Sequence, residues 1–493
     1  MNSVVLAVRY LVISILSFIT IKVLFKWFGD ADYGSYTLAS SIIVFANILN
    51  TVFITSINRY SSYYIGEKSK YKTVFQQIFY LNLGLSVVTF IILIIISIFF
   101  LYGLLDFLQF NFNEKHICGL FALSIASFLS SVSYPFQALL MSKDEFKIIS
   151  FIDFLKSFLN LGLILWLSYT VVSNKFQTYA VYYVLITSFC LLILILITAL
   201  KYKRYLSFKF NFDRNLVKEI YALSSWNSLG TSAAIIENSL PTILIGGFFG
   251  TRFVAIFGVA NQSISAFKGL LNALQSAFSP GVIRDFGSGK SANGLITTQV
   301  VSKSLTFIYI VFSIILFSEC NNIFKIWLNI DDINLISYVF RALLFINFFP
   351  VVFLPYSNVI QSLGKVKVFM ITTFVAVVIS YFCIIILFKL NLNIDYYFII
   401  LIVNAIISNL IFIHLANKFL SCNRSQLRIY YVRASIFYFI MLSINVTLDY
   451  AFVLNIFQRI VFYFIINVIG FYVYMKFLFS IKERVKFLEL IKL

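Results

Sequence analysis

With 493 residues, 61% of them hydrophobic and only 12% charged, the chain has too little polar surface to enclose its apolar residues in water, which excludes a soluble globular protein. A formal charge of +19 would suit nucleic acid if it were gathered on one polar domain, but the basic residues are spread between apolar runs. Five cysteines, Cys118, Cys190, Cys320, Cys383 and Cys422, are scattered and odd in number, so neither a disulfide framework nor a metal centre is supported.

In chain order, about fourteen apolar runs lie at 4–25, 34–58, 75–102, 117–141, 150–172, 179–200, 220–247, 253–278, 303–324, 335–362, 368–389, 396–417, 434–454 and 459–478. A run of about 20 residues is what an α-helix needs to cross roughly 30 Å of hydrocarbon. The runs are continuous rather than alternating, which predicts helices and not barrel strands. The expected fold is therefore all-α and polytopic, with about 14 transmembrane helices. The first run has full spanning length and lacks the flanks of a cleaved signal, so it is expected to remain as span one.

If the N-terminus is cytoplasmic, most of the 38 Lys and Arg fall on inward connections and the tail, including Lys201, Lys203, Arg204, Lys209, Arg214 and Lys218 between spans six and seven. Both termini are then expected in the cytoplasm, and the basicity is topological. Nucleic acid is not an expected partner. The connections are short; the longest, 201–219 and 279–302, are both on the inward side. Phe208, Phe210 and Phe212 alternate with polar residues in the first of these, which suits the headgroup boundary. The tail from Lys476 places Ile481, Val485 and Leu488 on one face, either as an interfacial helix or as a frayed end of span fourteen.

Sliding the chain against itself reveals a repeat. Phe28, Gly29, Tyr33 and Gly34 fall on Phe249, Gly250, Val254 and Ala255, and Pro135, Ser142 and Lys147 fall on Pro355, Ser362 and Lys367. The offset contains six spans, so the halves have the same orientation and form parallel repeats. This predicts an N-terminal lobe at 1–200, a connector at 201–219, a C-terminal lobe at 220–418, spans thirteen and fourteen at 434–478, and a tail at 479–493.

Polar residues inside spans single out the eighth, where Asn261, Ser265, Lys268, Asn272, Gln275 and Ser279 recur on one helical face. Hydrogen bonding between packed helices and the lining of a cavity are both open for the amides. Lys268 favours the cavity, because a charge at mid-membrane costs about 2.5–3.5 kcal/mol and is retained for function. The corresponding stripe in span two is Ser40, Val44, Asn47, Thr51, Ile54 and Asn58. Span seven carries Trp226, Asn227, Gly230, Thr231, Ala234, Glu237, Asn238 and Pro241, with a kink expected at Pro241 beside Glu237. Glu237 either pairs with Lys268 or answers to a coupling ion, Na+ or H+. Arg9, Arg59 and Arg341 lie near span ends, where snorkelling and topology compete with function. His414, isolated in span twelve, is expected between helices. Enzymatic signatures and a phosphate-cradling glycine loop are absent, so no cofactor is expected.

Three motifs, Phe28-Gly29-Asp30-Ala31-Asp32-Tyr33-Gly34-Ser35-Tyr36, Asn58-Arg59-Tyr60 and Gln361-Ser362-Leu363-Gly364-Lys365, resemble the polysaccharide-biosynthesis branch of the multidrug/oligosaccharidyl-lipid/polysaccharide exporter superfamily, particularly bacterial O-antigen and capsule repeat-unit flippases. The resemblance implies two six-helix lobes around a central cationic cavity, two extra C-terminal helices, and a bacterial inner-membrane setting. It also implies alternating-access movement of undecaprenyl-diphosphate-linked oligosaccharide to the outer leaflet, among membrane lipids and polysaccharide-assembly proteins. Lys268, with Arg9, Arg59 or Arg341, would meet the diphosphate, while Asn261, Asn272 and Gln275 would meet sugar hydroxyls. A multidrug extruder of the same superfamily is expected to have twelve spans and an acidic cavity, and a polymerase or ligase a long outward loop. Both fit less well.

Overall fold

A computed structural model describes residues 2–65, 68–103, 112–208, 214–288, 290–328, 333–362, 366–390, 392–420, 424–451 and 456–491; some helical side chains, including those of 2–11 and 219–227, lie outside that description. The helices are α1 (Asn2–Ala46), α2 (Ile48–Tyr64), α3 (Lys68–Leu101), α4 (Glu114–Val132), α5 (Tyr134–Ser142), α6 (Phe146–Ser168), α7 (Lys175–Tyr202) and α8 (Arg214–Phe249). They continue as α9 (Thr251–Gly287), α10 (Ser291–Leu328), α11 (Ile333–Ser362), α12 (Val366–Lys389), α13 (Asp395–Leu420), α14 (Arg424–Ala451), α15 (Ile456–Leu478) and α16 (Ile481–Ile491). Among the described residues there is no strand, and the protein is an all-α polytopic membrane protein.

Among the described residues each apolar run falls mostly on helix. By length and composition twelve described stretches can cross a membrane. The count is lower than fourteen because one stretch, Val12–Ala46, runs across the non-helical corner at Gly29 that divides α1 into two helical arms, and because the apolar part of α15, Ile465–Leu478, is short. The connection expected at 279–302 is mostly helix instead: α9 runs to Gly287 and α10 begins at Ser291. Helical hydrogen bonding continues past the apolar stretch, where water can solvate the side chains, so hydropathy marks the membrane portion and not the helix end.

The chain divides into two compact units, Met1–Val259 and Ala260–Leu493. In the first, α1 packs on α4, α6, α7 and α8, while α2 packs on α3, α5 and α8. In the second, α10 packs on α11, α14, α15 and α16, and α13 on α11 and α12. The division falls inside α9.

Aromatic side chains are not confined to lipid-facing surfaces, as their abundance first suggests. The largest fully buried side chains are all Tyr or Phe, and in the second unit Phe348 stacks on Tyr438 with centroids 4.3 Å apart. Such rings bury large apolar area between helices and keep a hydroxyl for internal bonding. Phe208 packs on Phe75 and Phe79 of α3, whereas Phe210 and Phe212 lie outside the described residues.

The repeat has a local structural counterpart inside the first unit. Gly29 and Gly250, related by 221 residues, both have left-handed φ values, 76° and 82°, and Gly29 has ψ 177°, a conformation open essentially to glycine alone. Around the first corner Phe25 packs on Tyr33 with centroids 5.0 Å apart; at the equivalent positions a Cβ on Gly246 would stand 3.1 Å from Val254. Thr37 faces its own equivalent, Gly258. Gly34 is the tightest point, since a Cβ there would lie 2.0 Å from the Thr251 carbonyl oxygen.

Away from the spans, Glu145 precedes α6 and accepts hydrogen bonds from Lys201 and from the Tyr202 hydroxyl (2.5 Å). The Lys201 bond is the main reason its carboxyl is held below the usual value of 4.5. A depressed carboxylate contributes stability above its unfolded pKa, and loses it as pH falls through the folded one. We expect Glu145→Gln to cost no more than about 1 kcal/mol at neutral pH, as for a solvent-accessible pair, and to remove that part of the acid sensitivity below pH about 4.5. Thermal unfolding across pH 3 to 7 would measure it.

Candidate functional site

The stripe on α9 is one face of a helix, but its residues are not equally placed. Ser265 and Asn272 are exposed, Asn261 and Lys268 half-buried, and Gln275 buried. Gln275 Nε2 donates to the Leu354 carbonyl (3.2 Å), which ties α9 to α11 where Pro355 removes a helical hydrogen bond. Lys268 has no hydrogen-bond or ion-pair partner among the described residues of its own unit. The side chain of Ser279 lies outside the described residues.

Other candidates are dispersed. Glu237 and Asn238 are exposed on α8, which runs as helix through the buried Pro241, and Asn238 Nδ2 donates to the Ala234 carbonyl (2.6 Å). Glu237 and Lys268 belong to different units. Arg59 is exposed on α2; the Arg9 side chain lies outside the described residues, as do those of Trp226 and Asn227. Arg341 is committed to structure: its Nε donates to the Phe317 carbonyl (3.0 Å) and its guanidinium lies 5.3 Å from the Phe317 ring centroid. His414 is exposed on α13 and not packed between helices, since the buried face of that helix is carried by Asn409, Ile413 and Ala416.

Of the span-two stripe, Asn47 turns inward onto α4, while Val44 is exposed. Asn47 Nδ2 donates to Ser127 Oγ (2.8 Å), and Asn50 Nδ2 donates to Asn47 Oδ1 (3.0 Å) and Thr89 Oγ1 (3.0 Å). Asn82 Nδ2 donates to the Ser131 carbonyl (2.9 Å). Each bond satisfies a group that hydrocarbon would leave unpaired.

A second seam in the same unit contains a charge that periodicity did not single out. Lys156, mid-way along α6, donates from Nζ to Ser130 Oγ (3.3 Å) and lies 5.6 Å from the Tyr183 ring centroid. Tyr183 stacks on Tyr179, whose hydroxyl donates to Asn160 Oδ1 (3.1 Å) and whose ring packs edge-on to Tyr36 with centroids 5.5 Å apart. The legible signal was Asp153 and Lys156, two opposite charges one turn apart within an apolar run.

In the second unit Lys303 is fully engaged. Its Nζ donates to Glu483 Oε1 and Oε2, both at 2.7 Å, and to the Leu478 carbonyl (2.6 Å). Glu483 is 4% exposed, and also accepts from the Ser480 backbone N–H (2.6 Å), which makes α16 a distinct capped helix and not a frayed end of α15. Ile481, Val485 and Leu488 are exposed on it.

Comparison with known proteins gives these helices a lineage. The family described as "Polysaccharide biosynthesis protein" matches residues 23–284, and the MatE family matches 234–386. No curated protein matches in sequence. Among solved structures, the lipid II flippase MurJ in an inward closed conformation has a TM-score of 0.67 at 14% identity, covering 95% of this chain and 97% of its own. An inward-facing multidrug resistance MATE transporter of the MOP superfamily has a TM-score of 0.65 at 16% identity, covering 84% and 98%. A MOP superfamily transporter from Pyrococcus furiosus, reported to have a binding pocket of reverse polarity, has a TM-score of 0.58 at 14% identity, covering 85% and 95%. At such identities the likeness speaks for the fold, while the family match spans more than half of the 493 residues. The chain is a multi-pass membrane protein and belongs to the polysaccharide biosynthesis protein family.

Proposed function

We propose that this protein is a flippase for undecaprenyl-diphosphate-linked repeat units of a surface polysaccharide such as O-antigen or capsule, working by alternating access in the bacterial inner membrane with both termini cytoplasmic. The observation that carries the reading is Lys268, a half-buried cation in α9 with no partner among the described residues of its unit, on a face with Asn261, Ser265 and Asn272. A lysine against lipid would be costly, so an aqueous cavity and an anionic cargo account for it best. In this reading Lys268 meets the diphosphate with help from Arg59 and Arg9, and the amides meet sugar hydroxyls. Arg341 and Gln275 hold the surrounding helices, given their bonds to Phe317 and Leu354. Glu237 is the coupling carboxylate, answering to Na+ or H+ beside Pro241.

Deleting the gene should leave lipid-linked repeat units on the cytoplasmic leaflet and remove surface polysaccharide. A hydrogen bond to a charged group is worth about 1.5–3 kcal/mol, so Lys268→Ala is expected to lower export by about 10- to 100-fold at normal protein abundance. Lys268→Arg should keep most of it, because a guanidinium also meets phosphate. Normal polysaccharide in the deletion strain would refute the flippase reading, and full complementation by Lys268→Ala would refute the site.

A further inference from the structure

The seam around Lys156 has no role in the cargo site just proposed. Lys156 stands ten residues after Phe146 and twelve before Ser168, the ends of α6, so it is about 15 Å from either helix end at 1.5 Å per residue. A cation at that depth is retained for a structural partner or for a ligand. The structural option is thin: among the described residues Nζ makes one hydrogen bond, a long one at 3.3 Å to Ser130 Oγ, although an ammonium has three donors. Lys303 shows what a structural lysine looks like in this protein, with three acceptors within 2.7 Å.

What surrounds Lys156 is chemistry for a sugar. The Tyr183 ring lies beside the ammonium, and the seam continues through the Tyr179 hydroxyl to the Asn160 amide and through ring contact to Tyr36. The residue is half-buried, so part of it is not covered by protein atoms. Hydrocarbon is excluded by the cost of facing a charge to it.

We propose that Lys156, with Ser130 and Tyr183, forms a second cargo-contact site inside the first unit, which receives an oxyanion, carboxylate or phosphate, of the saccharide head. The proposal rests on the flippase reading. Two unused ammonium donors would bond the oxyanion, Ser130 would donate from its hydroxyl, and the tyrosine face would pack on the apolar side of a sugar ring.

The test uses the purified full chain and three probes by calorimetric titration at millimolar concentration: glucuronate, inorganic pyrophosphate and glucose. Binding of glucuronate weakened at least tenfold by Lys156→Gln assigns an acidic sugar; the same result with pyrophosphate assigns the diphosphate. Lys156→Arg should be intermediate, and neutral glucose should bind weakly and equally to all variants. Lys156→Met should melt at or above the wild-type temperature, since it removes a poorly partnered charge. Binding unchanged in Lys156→Gln, binding of neither anion to wild type, or a large loss of melting temperature in Lys156→Met would each overturn the site. In the deletion strain, full export by Lys156→Gln also overturns it while leaving the flippase reading intact; normal polysaccharide in the empty deletion strain removes the flippase reading itself.

Discussion

Gly34→Ala is expected to destabilise the first unit by about 3 kcal/mol, at the upper end for forcing atoms into a packed helix contact, and to abolish transport with it. The reason is backbone against backbone: the added Cβ would lie 2.0 Å from the Thr251 carbonyl oxygen and 2.7 Å from its carbonyl carbon, and no side-chain rotation can relieve that. Nearby Gly258→Ala is milder. Its Cβ would meet Thr37 Cγ2 at 2.6 Å, and a threonine can rotate. Gly162→Ala is the control. With nothing within 4 Å of its Cβ inside α6, it should be neutral or stabilising by about 0.5–1 kcal/mol, because alanine fits a helix better than glycine. Thermal unfolding of the three variants in detergent would rank them; equal melting for Gly34→Ala and wild type would mean that α1 and α9 do not meet at Thr251.

Glu483→Ala is expected to cost about 3–5 kcal/mol, since it strands the Lys303 ammonium without its carboxylate in a site only 8% exposed. It also removes the acceptor for the Ser480 backbone N–H, so α16 should undock from α10 and become sensitive to limited proteolysis after Leu478. The double variant Lys303→Met with Glu483→Leu should recover most of the loss, because matched apolar groups replace a desolvated ion pair at little net cost. High salt should not reproduce the effect, as buried pairs are poorly screened. If Glu483→Ala melts with wild type, or if the double variant is worse than the single, the pair is not what docks α16.

At both sites the partners lie far apart along the chain, Gly34 from Thr251 and Lys303 from Glu483. Run length and hydropathy determined the helices, since insertion of an apolar helix is nearly additive over its own residues and asks nothing of its neighbours. The same local logic made the 221-residue repeat visible: Gly29 and Gly250 are needed by their own backbone angles, so glycine recurs at both. The α9 face was likewise legible, because helical periodicity alone puts Asn261, Lys268 and Gln275 on one side. Which of those residues stays available was decided only by tertiary structure, since Gln275 meets a carbonyl 79 residues away while Lys268 has no polar partner among the described residues of its unit. Lys303 finds Glu483 across 180 residues, and Lys156 finds Ser130 and Tyr183 on two other helices. Periodicity reports which face of a helix is polar and hydropathy reports what a charge costs in hydrocarbon, but a partner is chosen by packing between helices distant in sequence, and that information exists only once the helices have assembled.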